Sequence, residues 1–329
     1  MRQCYLGVDI GSISTKAVVV DAQAEVVAST YQWTEGDPIA AVRRVVREIE
    51  CQLRDTGVEV VACGATGSAR QLCGLILNAT FVRNEITAHA TGTLSRQPQV
   101  RTIMEIGGQD SKIIILQDGV VVDYAMNTLC AAGTGAFLSS QARRLGIAIE
   151  QLGELALSSR SPARIAGRCT VFSESDLIHK ANMGYSREDL VAGLCRAIVH
   201  NYLNNVGKGK DIQAPLAFQG GVSLNAGVVQ ALREITGLDV QVPEHAHLMG
   251  AIGIALLAAP PPRGRGRAAN GNFSFAVTEI DFSTRGFECN GCQNACEMVC
   301  VLRDGGFLDA WGNRCDIGHE RAQSVVGAG

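Results

Sequence analysis

Residues 6–20 read LGVDIGSISTKAVVV, an apolar strand, a short turn of glycine and serine, and a second apolar strand. Residues 102–116 repeat this plan as TIMEIGGQDSKIIIL. A further strand-like run follows each stretch, at 21–27 and at 118–122. Two copies of a hairpin built on a glycine-rich turn predict a duplicated domain, with a ligand bound in the cleft between its halves.

The composition is that of a large globular chain. Of its 329 residues, 47% are hydrophobic and 19% are charged, so the chain can bury sizeable cores. A formal net charge of -3 argues against a protein held to nucleic acid by its overall charge. The longest apolar stretch, 251–259, is too short to span a bilayer, and the N-terminus enters a strand without a secretory signal. We therefore expect a cytoplasmic protein with no nucleic-acid and no membrane partner.

Strand-like and helix-like patterns alternate along the chain, which predicts an α/β fold of sheets covered by helices. Between 259 and 271, Pro, Gly and Arg dominate, and such a segment cannot build a core, so it is expected to be a linker. Helices are expected at 38–54, 136–145, 187–206, 224–236 and 248–258. The predicted units are a first subdomain (1–97), a second subdomain (98–258), the linker (259–271) and a cysteine-rich C-terminal domain (272–329).

The turn of each hairpin is suited to phosphate. Glycine lets the backbone approach an anion closely, and free N–H groups and hydroxyls can surround it. Lys16 would add a positive charge, while Asp9 and Asp110 would hold Mg²⁺ through water, because that ion keeps much of its hydration shell. For either loop alone, a tight turn with solvated polar residues is an equal alternative. The first loop comprises Gly11, Ser12, Ile13, Ser14, Thr15 and Lys16, and the second comprises Gly107, Gly108, Gln109 and Asp110.

A third glycine turn follows an apolar strand and precedes a helix. Its residues Gly220 and Gly221 offer a flat surface suited to a nucleobase or ribose. The three loops together favour a nucleotide site over three unrelated turns.

The chain has twelve cysteines, which in a reducing compartment are metal ligands or redox groups rather than disulfides. Five lie in apolar or helical contexts and are expected to be small buried hydrophobic residues. These are Cys4, Cys51, Cys63, Cys73 and Cys195.

Cys130 and Cys169 each precede a predicted helix. Free N–H groups at a helix start favour negative charge, either a thiolate or an anionic iron–sulfur cluster. A cubane cluster needs four thiolates, which a two-fold dimer would supply if each chain donated both cysteines. From the residues alone a pair of free thiols is favoured, because two cysteines so far apart in sequence form no local metal motif.

Motifs spread over most of the chain resemble those of the ATP-dependent activators of 2-hydroxyacyl-CoA dehydratases and the related ATP-hydrolysing subunits of benzoyl-CoA reductase. The resemblance runs from about residue 4 to residue 257 in order and spacing. Its cysteine segments set it apart from ordinary sugar kinases of the same fold. The motifs lie at 7–12, 105–112, 127–135, 169–175 and 220–222.

The resemblance implies a duplicated ribonuclease-H-like fold of the actin and sugar-kinase type. It implies a homodimer bridged by one [4Fe-4S] cluster on Cys130 and Cys169, with an angle between helices at the cluster that changes with ATP binding and hydrolysis. Ferredoxin or flavodoxin would supply the electron, and an iron–sulfur dehydratase or reductase of anaerobic metabolism would accept it. ATP or ADP would contact the loops above and also Ala132, Gly133, Thr134, Gly135 and His247, with Asp9, Asp110 and Gln109 as catalytic residues.

The chain departs from the family pattern at three places. Ala136 stands where the family often has Arg, and Ser68-Ala69 stands where it often has Tyr-Gly. His247 matches a frequent Gln near the base site. These differences leave the partner and the details of nucleotide contact open.

The C-terminal cysteines resemble extensions of longer family members. Four thiolates on a short chain suit a metal, with a second [4Fe-4S] cluster as first choice, zinc as second, and free thiols as third. A domain with so thin a core usually needs a metal to stay folded. The expected ligands are Cys289, Cys292, Cys296 and Cys315, with Cys300 as a spare or alternative fourth, and the expected core is Phe273, Phe275, Phe282, Phe287, Phe307 and Trp311.

Two other functions compete with an ATP-driven electron donor. One is a small-molecule kinase of the same fold, which would need neither Cys130 nor Cys169. The other is an ATP-dependent assembly module. Among the histidines, His89, His179, His200, His245 and His247 share no ligand spacing and are expected at the surface or at helix ends.

Overall fold

The first half of the chain forms a five-stranded mixed sheet in the computed structural model, which describes residues 2–127, 130–259 and 273–327. The strands of this sheet are β1 (Arg2–Ile10), β2 (Ser14–Asp21), β3 (Val26–Trp33), β4 (Val58–Gly67) and β5 (Phe81–Val82). Their order is β3-β2-β1-β4-β5. The pairs β3–β2 and β2–β1 are antiparallel, whereas β1–β4 and β4–β5 are parallel.

The second half repeats this sheet. Its strands are β6 (Thr102–Ile106), β7 (Ser111–Gln117), β8 (Val120–Asn127), β9 (Leu216–Gln219) and β10 (Val240–Gln241). The order β8-β7-β6-β9-β10, with the same antiparallel and parallel pairings, matches the first sheet strand by strand. The predicted duplication and the predicted α/β fold are therefore confirmed.

The repeat extends to charged residues near each hairpin turn. Asp9 on β1 lies opposite Lys16 on β2, and Glu105 on β6 lies opposite Lys112 on β7. Each half therefore contributes one acid–lysine cross-strand pair at the same position of its hairpin.

Helices cover the sheets, and the five that were predicted are present with small shifts at their ends. Two helices of the first half, α2 (Arg70–Leu77) and α3 (Glu85–Arg96), were not predicted. No helix in the described part of the chain is both long and apolar enough to cross a membrane. The helices are α1 (Pro38–Leu53), α2 (Arg70–Leu77), α3 (Glu85–Arg96), α4 (Gly135–Leu145), α5 (Leu152–Leu157), α6 (Thr170–Asn182), α7 (Arg187–Asn205), α8 (Ala226–Thr236) and α9 (Met249–Ala258).

Two glycines bring α3 and α9 into backbone contact. A Cβ atom added at Gly253 would lie 1.7 Å from the Ala88 carbonyl oxygen, and one added at Gly92 would lie 2.4 Å from the Met249 carbonyl oxygen. Helix α9 packs on the first sheet, whereas Ile86 of α3 packs on the second. The crossing of α3 and α9 therefore joins the two halves.

Replacing Gly253 by alanine is expected to lower the free energy of unfolding by about 3 kcal/mol, the upper end of the usual cost of overpacking, because the new methyl group overlaps backbone that cannot move independently. Alanine's better helix propensity, about 1 kcal/mol, is too small to offset this overlap. Urea denaturation measures the change. Gly286→Ala is the control, since its added Cβ would meet its nearest neighbour at 3.9 Å. An unchanged midpoint for Gly253→Ala would contradict the backbone contact.

The C-terminal region forms a small antiparallel sheet followed by a helix. Its elements are β11 (Phe282–Cys289), β12 (Cys296–Arg303), β13 (Gly306–Trp311) and α10 (Asp316–Gly327). Apart from Ala259, the segment predicted to be a linker lies outside the described residues.

This sheet packs against α1 of the first half. Phe282 and Val301 belong to the same buried cluster as the apolar face of α1, and Arg47 forms an ion pair with Glu279 at 3.2 Å. The aromatic residues expected to form the C-terminal core divide between two places. Phe273, Phe275, Phe282 and Trp311 pack on the first half, while Phe287 and Phe307 pack with a smaller cluster around Met298.

Candidate functional site

An open cavity lies between the hairpin turns of the two halves, and the empty space within it, part of which is bulk solvent, is about 420 Å³. Ten of the predicted loop residues line it, and they come from both halves. These are Asp9, Gly11, Ser12, Ile13, Ser14, Lys16, Gly107, Gly108, Gln109 and Asp110. Five further lining residues were not predicted, namely Ser68, Glu85, His89, Glu105 and Lys112.

The two loops close in the same way and touch each other. The Gly11 N–H donates to the Ser14 carbonyl, and the Gly107 N–H donates to the Asp110 carbonyl, both at 3.0 Å. A Cβ added at Gly108 would lie 2.8 Å from the Ile13 Cβ, so glycine is needed where the loops meet. Thr15 is engaged elsewhere, because its hydroxyl lies 3.0 Å from that of Thr34 in a buried hydrogen bond.

Lys112 lies at the centre of three carboxylates on the floor of the cavity. Its Nζ is 2.8 Å from Asp110 Oδ1, 3.0 Å from Glu105 Oε2 and 3.4 Å from Glu85 Oε2. Burial lowers the pKa of Lys112, but the carboxylates outweigh burial and raise it above its ordinary value. Lys112 is therefore charged, and one charge cannot balance three acids.

Glu105 is the most deeply buried of these acids. Burial outweighs the nearby Lys112 ammonium and raises the pKa of Glu105 to about 7. One carboxylate oxygen binds Lys112, and the other, Oε1, faces two glycine loops: a Cβ added at Gly107 or Gly220 would lie 3.1 or 2.6 Å from it. Glu105 therefore has its Oε1, the oxygen that does not bind Lys112, at the phosphate loops, and its pKa is suited to accept a proton near neutral pH.

Asp9 and His89 also line the cavity. Burial would raise the pKa of Asp9, but Lys16, at 3.5 Å, and other nearby positive charge hold it below its ordinary value. Burial and then Lys112 lower the pKa of His89 to about 4, so its ring is neutral. With acids outnumbering lysines, the cavity suits a phosphate accompanied by a divalent cation better than a bare anion.

The third glycine turn lies beside residues of both halves. Gly220 has a φ of 88°, which favours glycine. A Cβ added at Gly221 would lie 3.2 Å from the Tyr31 hydroxyl, and the Tyr31 ring lies 6.0 Å from that of His247. Tyr31, on β3, was not predicted to be part of the site. The arrangement places aromatic surface from the first half against the turn expected to receive the nucleoside.

Both mid-chain cysteines are half-buried and begin helical segments. Cys169 is the N-cap of α6, and Cys130 is the N-cap of a 3₁₀ turn at Ala131–Gly133 that leads into α4. Asn127 holds Cys130 from both sides: it accepts from the Cys130 N–H at 3.0 Å and donates to the Cys130 carbonyl at 2.8 Å.

The segment after Cys130 rests on the second phosphate loop. The Gly135 N–H donates to the Gly107 carbonyl, and the Ala136 N–H donates to the Gly108 carbonyl, both at 2.8 Å. Ala132 and Thr134 are buried, and the Thr134 hydroxyl donates to the Ala131 carbonyl. The residues at 132–135, which were expected to bind nucleotide, therefore lie against the second phosphate loop and are not among the residues that line the cavity.

The surroundings of Cys169 fit a group shared with a second chain. Val171 and Phe172, in the first turn of α6, are each 66% exposed. Large apolar side chains this exposed are typical of surfaces that another protein covers. Across residues 2–127, 130–259 and 273–327, no three or more His, Cys, Asp or Glu side chains are grouped closely enough to hold a metal ion. Cys130 and Cys169 are thus not accompanied by a third such ligand in the described part of the chain.

The remaining cysteines divide by burial. Cys4, Cys63, Cys73 and Cys195 are buried as predicted, but Cys51 is exposed because it lies on the solvent side of α1. In the C-terminal sheet, Cys289 and Cys296 are buried and lie opposite each other on β11 and β12. Cys292 and Cys315 are exposed, and burial raises the pKa of Cys300.

The prediction that His89 lies at the surface or at a helix end is wrong, since it is 6% exposed and lines the cavity. A signal was present: Glu85 and His89 are four residues apart, which places them on one face of a helix. Glu105 and Lys112 could have been found by comparing the two hairpins, because their spacing equals that of Asp9 and Lys16.

A sequence profile described as the BadF/BadG/BcrA/BcrD ATPase family matches residues 6–258. The activating ATPase of (R)-2-hydroxyglutaryl-CoA dehydratase from Acidaminococcus fermentans is 33% identical over 77% of this chain and 96% of its own. The activator of lactoyl-CoA dehydratase from Anaerotignum propionicum is 35% identical over the same shares of the two chains.

A solved structure is similar over the same region. The activator of the 2-hydroxyisocaproyl-CoA dehydratase from Clostridium difficile, with bound ADPNP, superposes with a TM-score of 0.69 and 30% identity. The match covers 78% of this chain and 94% of that one. The similarity confirms the predicted actin-like, ribonuclease-H-like ATPase fold, and the family profile ends before the C-terminal sheet.

Proposed function

Because this chain belongs to the BadF/BadG/BcrA/BcrD ATPase family, we propose that it is an ATP-hydrolysing activator that delivers a low-potential electron to a partner enzyme. The partner would be a 2-hydroxyacyl-CoA dehydratase or a related iron–sulfur reductase, as the names of the relatives indicate. The activator would work as a homodimer and receive its electron from ferredoxin or flavodoxin.

The contact between the second phosphate loop and the Cys130 segment carries this proposal. Gly107 and Gly108 line the cavity, and their carbonyls bind the N–H groups of Gly135 and Ala136. A shift of the loop on nucleotide binding or hydrolysis would therefore be passed to Cys130 through a few backbone bonds. A kinase that only transfers phosphate has no need of this connection.

The cavity residues have complementary roles in hydrolysis. Asp9 and Asp110 would hold Mg²⁺ through water, and Lys16 and the loop N–H groups would bind phosphate oxygens. Glu105 would accept the proton of the attacking water at its Oε1 atom, and Gln109 would orient that water. Positioning and charge are what phosphoryl transfer chiefly needs, and both are present here.

Cys130 and Cys169 of each protomer are the residues that would hold the bridging [4Fe-4S] cluster. When bound, the cluster would supply a one-electron carrier. The chain's own part is to present the two thiols at the starts of two helical segments. The second protomer would cover Val171 and Phe172, and these two side chains would exclude water from the surface around Cys169.

Anaerobic purification tests the proposal. We expect a brown protein with about four iron and four sulfide per dimer, or about twelve of each if both C-terminal regions carry a cluster. It should hydrolyse ATP and activate a dehydratase-type enzyme. A colourless protein that phosphorylates a metabolite would instead establish the kinase alternative.

For the C-terminal region we propose a second metal site, a [4Fe-4S] cluster or zinc, on Cys289, Cys292, Cys296 and Cys315. The facing pair Cys289 and Cys296 supports it. A Cβ added at Gly291 would lie 2.8 Å from Ile317 and 3.4 Å from the Cys289 Sγ, so the loop bearing Cys292 adjoins the start of α10, close in sequence to Cys315. The four side chains are not grouped closely enough to hold a metal in the described structure, so metal binding would have to draw them together.

Removing this metal is expected to make the C-terminal region at least about tenfold more sensitive to protease, because an opened segment is cleaved in proportion to its population. Cys289→Ser and Cys296→Ser should each raise the sensitivity to protease to the same extent without a chelator. Cleavage should concentrate at 290–295 and not near Phe282, which stays packed on the first half. Cys51→Ser is the control, and unchanged digestion of the variants would count against the metal site.

A further inference from the structure

Asn201 is a buried amide on α7. It is 1% exposed, and its neighbours Ile198 and Tyr202 on the same helix are fully buried. Burying an amide costs free energy unless it is hydrogen-bonded. Asn201 meets this requirement through two bonds, one received from Asn205 and one donated outside the helix.

The bond that leaves the helix reaches the Cys169 segment. The Asn201 Nδ2 donates to the Arg168 carbonyl at 2.8 Å, and Arg168 directly precedes Cys169. Gly167 also lies in close contact with α7, since a Cβ added at Gly167 would lie 3.0 Å from the Ala197 carbonyl oxygen and 2.9 Å from the His200 Cβ. The start of α6 is thereby held against this one turn of α7.

The same amide also touches the Cys130 segment. A Cβ added at Gly133 would lie 2.7 Å from the Asn201 Oδ1, so the backbone after Cys130 passes directly over the side chain. Asn127, which binds Cys130 on both sides, lies close to the same glycine. One buried side chain therefore lies between the backbones that carry the two cysteines.

We propose that Asn201 is a positioning residue that fixes Cys130 and Cys169 of one protomer relative to each other, so that both bind the same cluster. The proposal rests on the proposed function for the identity of the bound group. An apolar residue of similar size would fill the space but leave the Arg168 carbonyl without its donor, so the Cys169 segment would lose its register on α7.

Two variants of similar size test this role. Asn201→Leu removes both hydrogen-bonding groups, whereas Asn201→Asp keeps an acceptor for Asn205 but, in its ionised form, cannot donate to Arg168. Asn205→Ala is the matched control, because Asn205 is exposed and binds Asn201 from the next turn of the same helix. Iron per dimer, the electron paramagnetic resonance signal of the reduced protein and ADP affinity are measured for each.

In both Asn201 variants we expect iron per dimer to fall at least about fivefold and the residual signal to change shape, since geometry at a cluster tunes its electronic state. ADP affinity should stay within about twofold in all variants, and Asn205→Ala should match the wild type. Full iron content with an unchanged signal in Asn201→Asp would overturn the proposal. Loss of ADP binding together with iron would also overturn it, because Asn201 would then stabilise the whole core.

A second measurement separates this proposal from the proposed function. In metal-free protein, alkylation of Cys130 and Cys169 is followed by mass spectrometry, with exposed Cys51 as internal reference. Both cysteines should react at least about fivefold faster in the Asn201 variants, because their segments open more often. If the wild type holds no iron, the proposed function fails, but the alkylation rates still test the positioning role of Asn201. Equal alkylation rates in the wild type and the variants would overturn that role.

Discussion

Cys130→Ser and Cys169→Ser are each expected to reduce bound iron from about four to less than about one per dimer. A serine hydroxyl stays protonated where a cysteine thiol ionises, so it is a poor ligand for iron. Because both protomers carry the change, each single substitution would remove two of four ligands. Iron and sulfide assays on anaerobically purified protein, with visible absorbance, measure the loss.

Nucleotide binding should survive these two substitutions. Neither cysteine lines the cavity, and Cys130 is joined to it through the backbone of the following turn. Fluorescence titration with an ADP analogue should give affinities within about twofold of the wild type. Cys51→Ser is the matched control, since it changes an exposed thiol on α1. A variant of Cys130 or Cys169 with a full complement of iron would refute the ligand assignment.

Glu105→Gln is expected to lower the rate of ATP hydrolysis about 10²- to 10⁴-fold at neutral pH, the range ordinarily lost with a general base. Glutamine keeps the size of the side chain and an oxygen for Lys112, so the cavity should keep its shape. The kcat of the purified protein, measured by phosphate release, gives the size of the effect.

The pH dependence provides an independent check. Burial raises the pKa of Glu105 to about 7, so below that pH the carboxyl is protonated and cannot accept a proton. The wild-type rate should therefore rise as pH increases towards 7 and then level off, and Glu105→Gln should lack this rise. Glu85→Gln makes a comparison: because the Glu85 carboxylate raises the pKa of Glu105, this variant should keep the rise in rate but shift it to lower pH. An unchanged kcat in Glu105→Gln would exclude the role of base.

The strands, the duplication and most helices could be predicted because they depend on local patterns. Apolar runs separated by glycine turns identified both hairpins, and helical periodicity identified α1. Helix α3 was missed because its small residues, such as Ala88 and Gly92, give little amphipathic contrast; they serve a close backbone contact with α9 that only the tertiary structure reveals.

The site was only partly predictable for a similar reason. The glycine loops and Asp9 are recognisable from sequence because turns and phosphate binding need particular residue types. Tyr31 and Asn201 carry no such local mark: their partners His247 and Arg168 lie far along the chain, and they meet only when the sheets and helices have packed. Lys112 could be seen in the sequence, but its three acids come from two elements and a loop.

The glycine crossing of α3 and α9 also bears on how the molecule can move. Interlocked side chains at a helix interface must disengage before one helix can rotate on the other. At Gly92 and Gly253 the surfaces in contact are smooth backbone. The crossing can thus act as a pivot. It is too tight to admit a methyl group, but at these two glycines it has no interlocked side chains to resist rotation. If the cleft opens about this crossing, each half would keep its interior intact, and the loops farthest from the crossing would move the most.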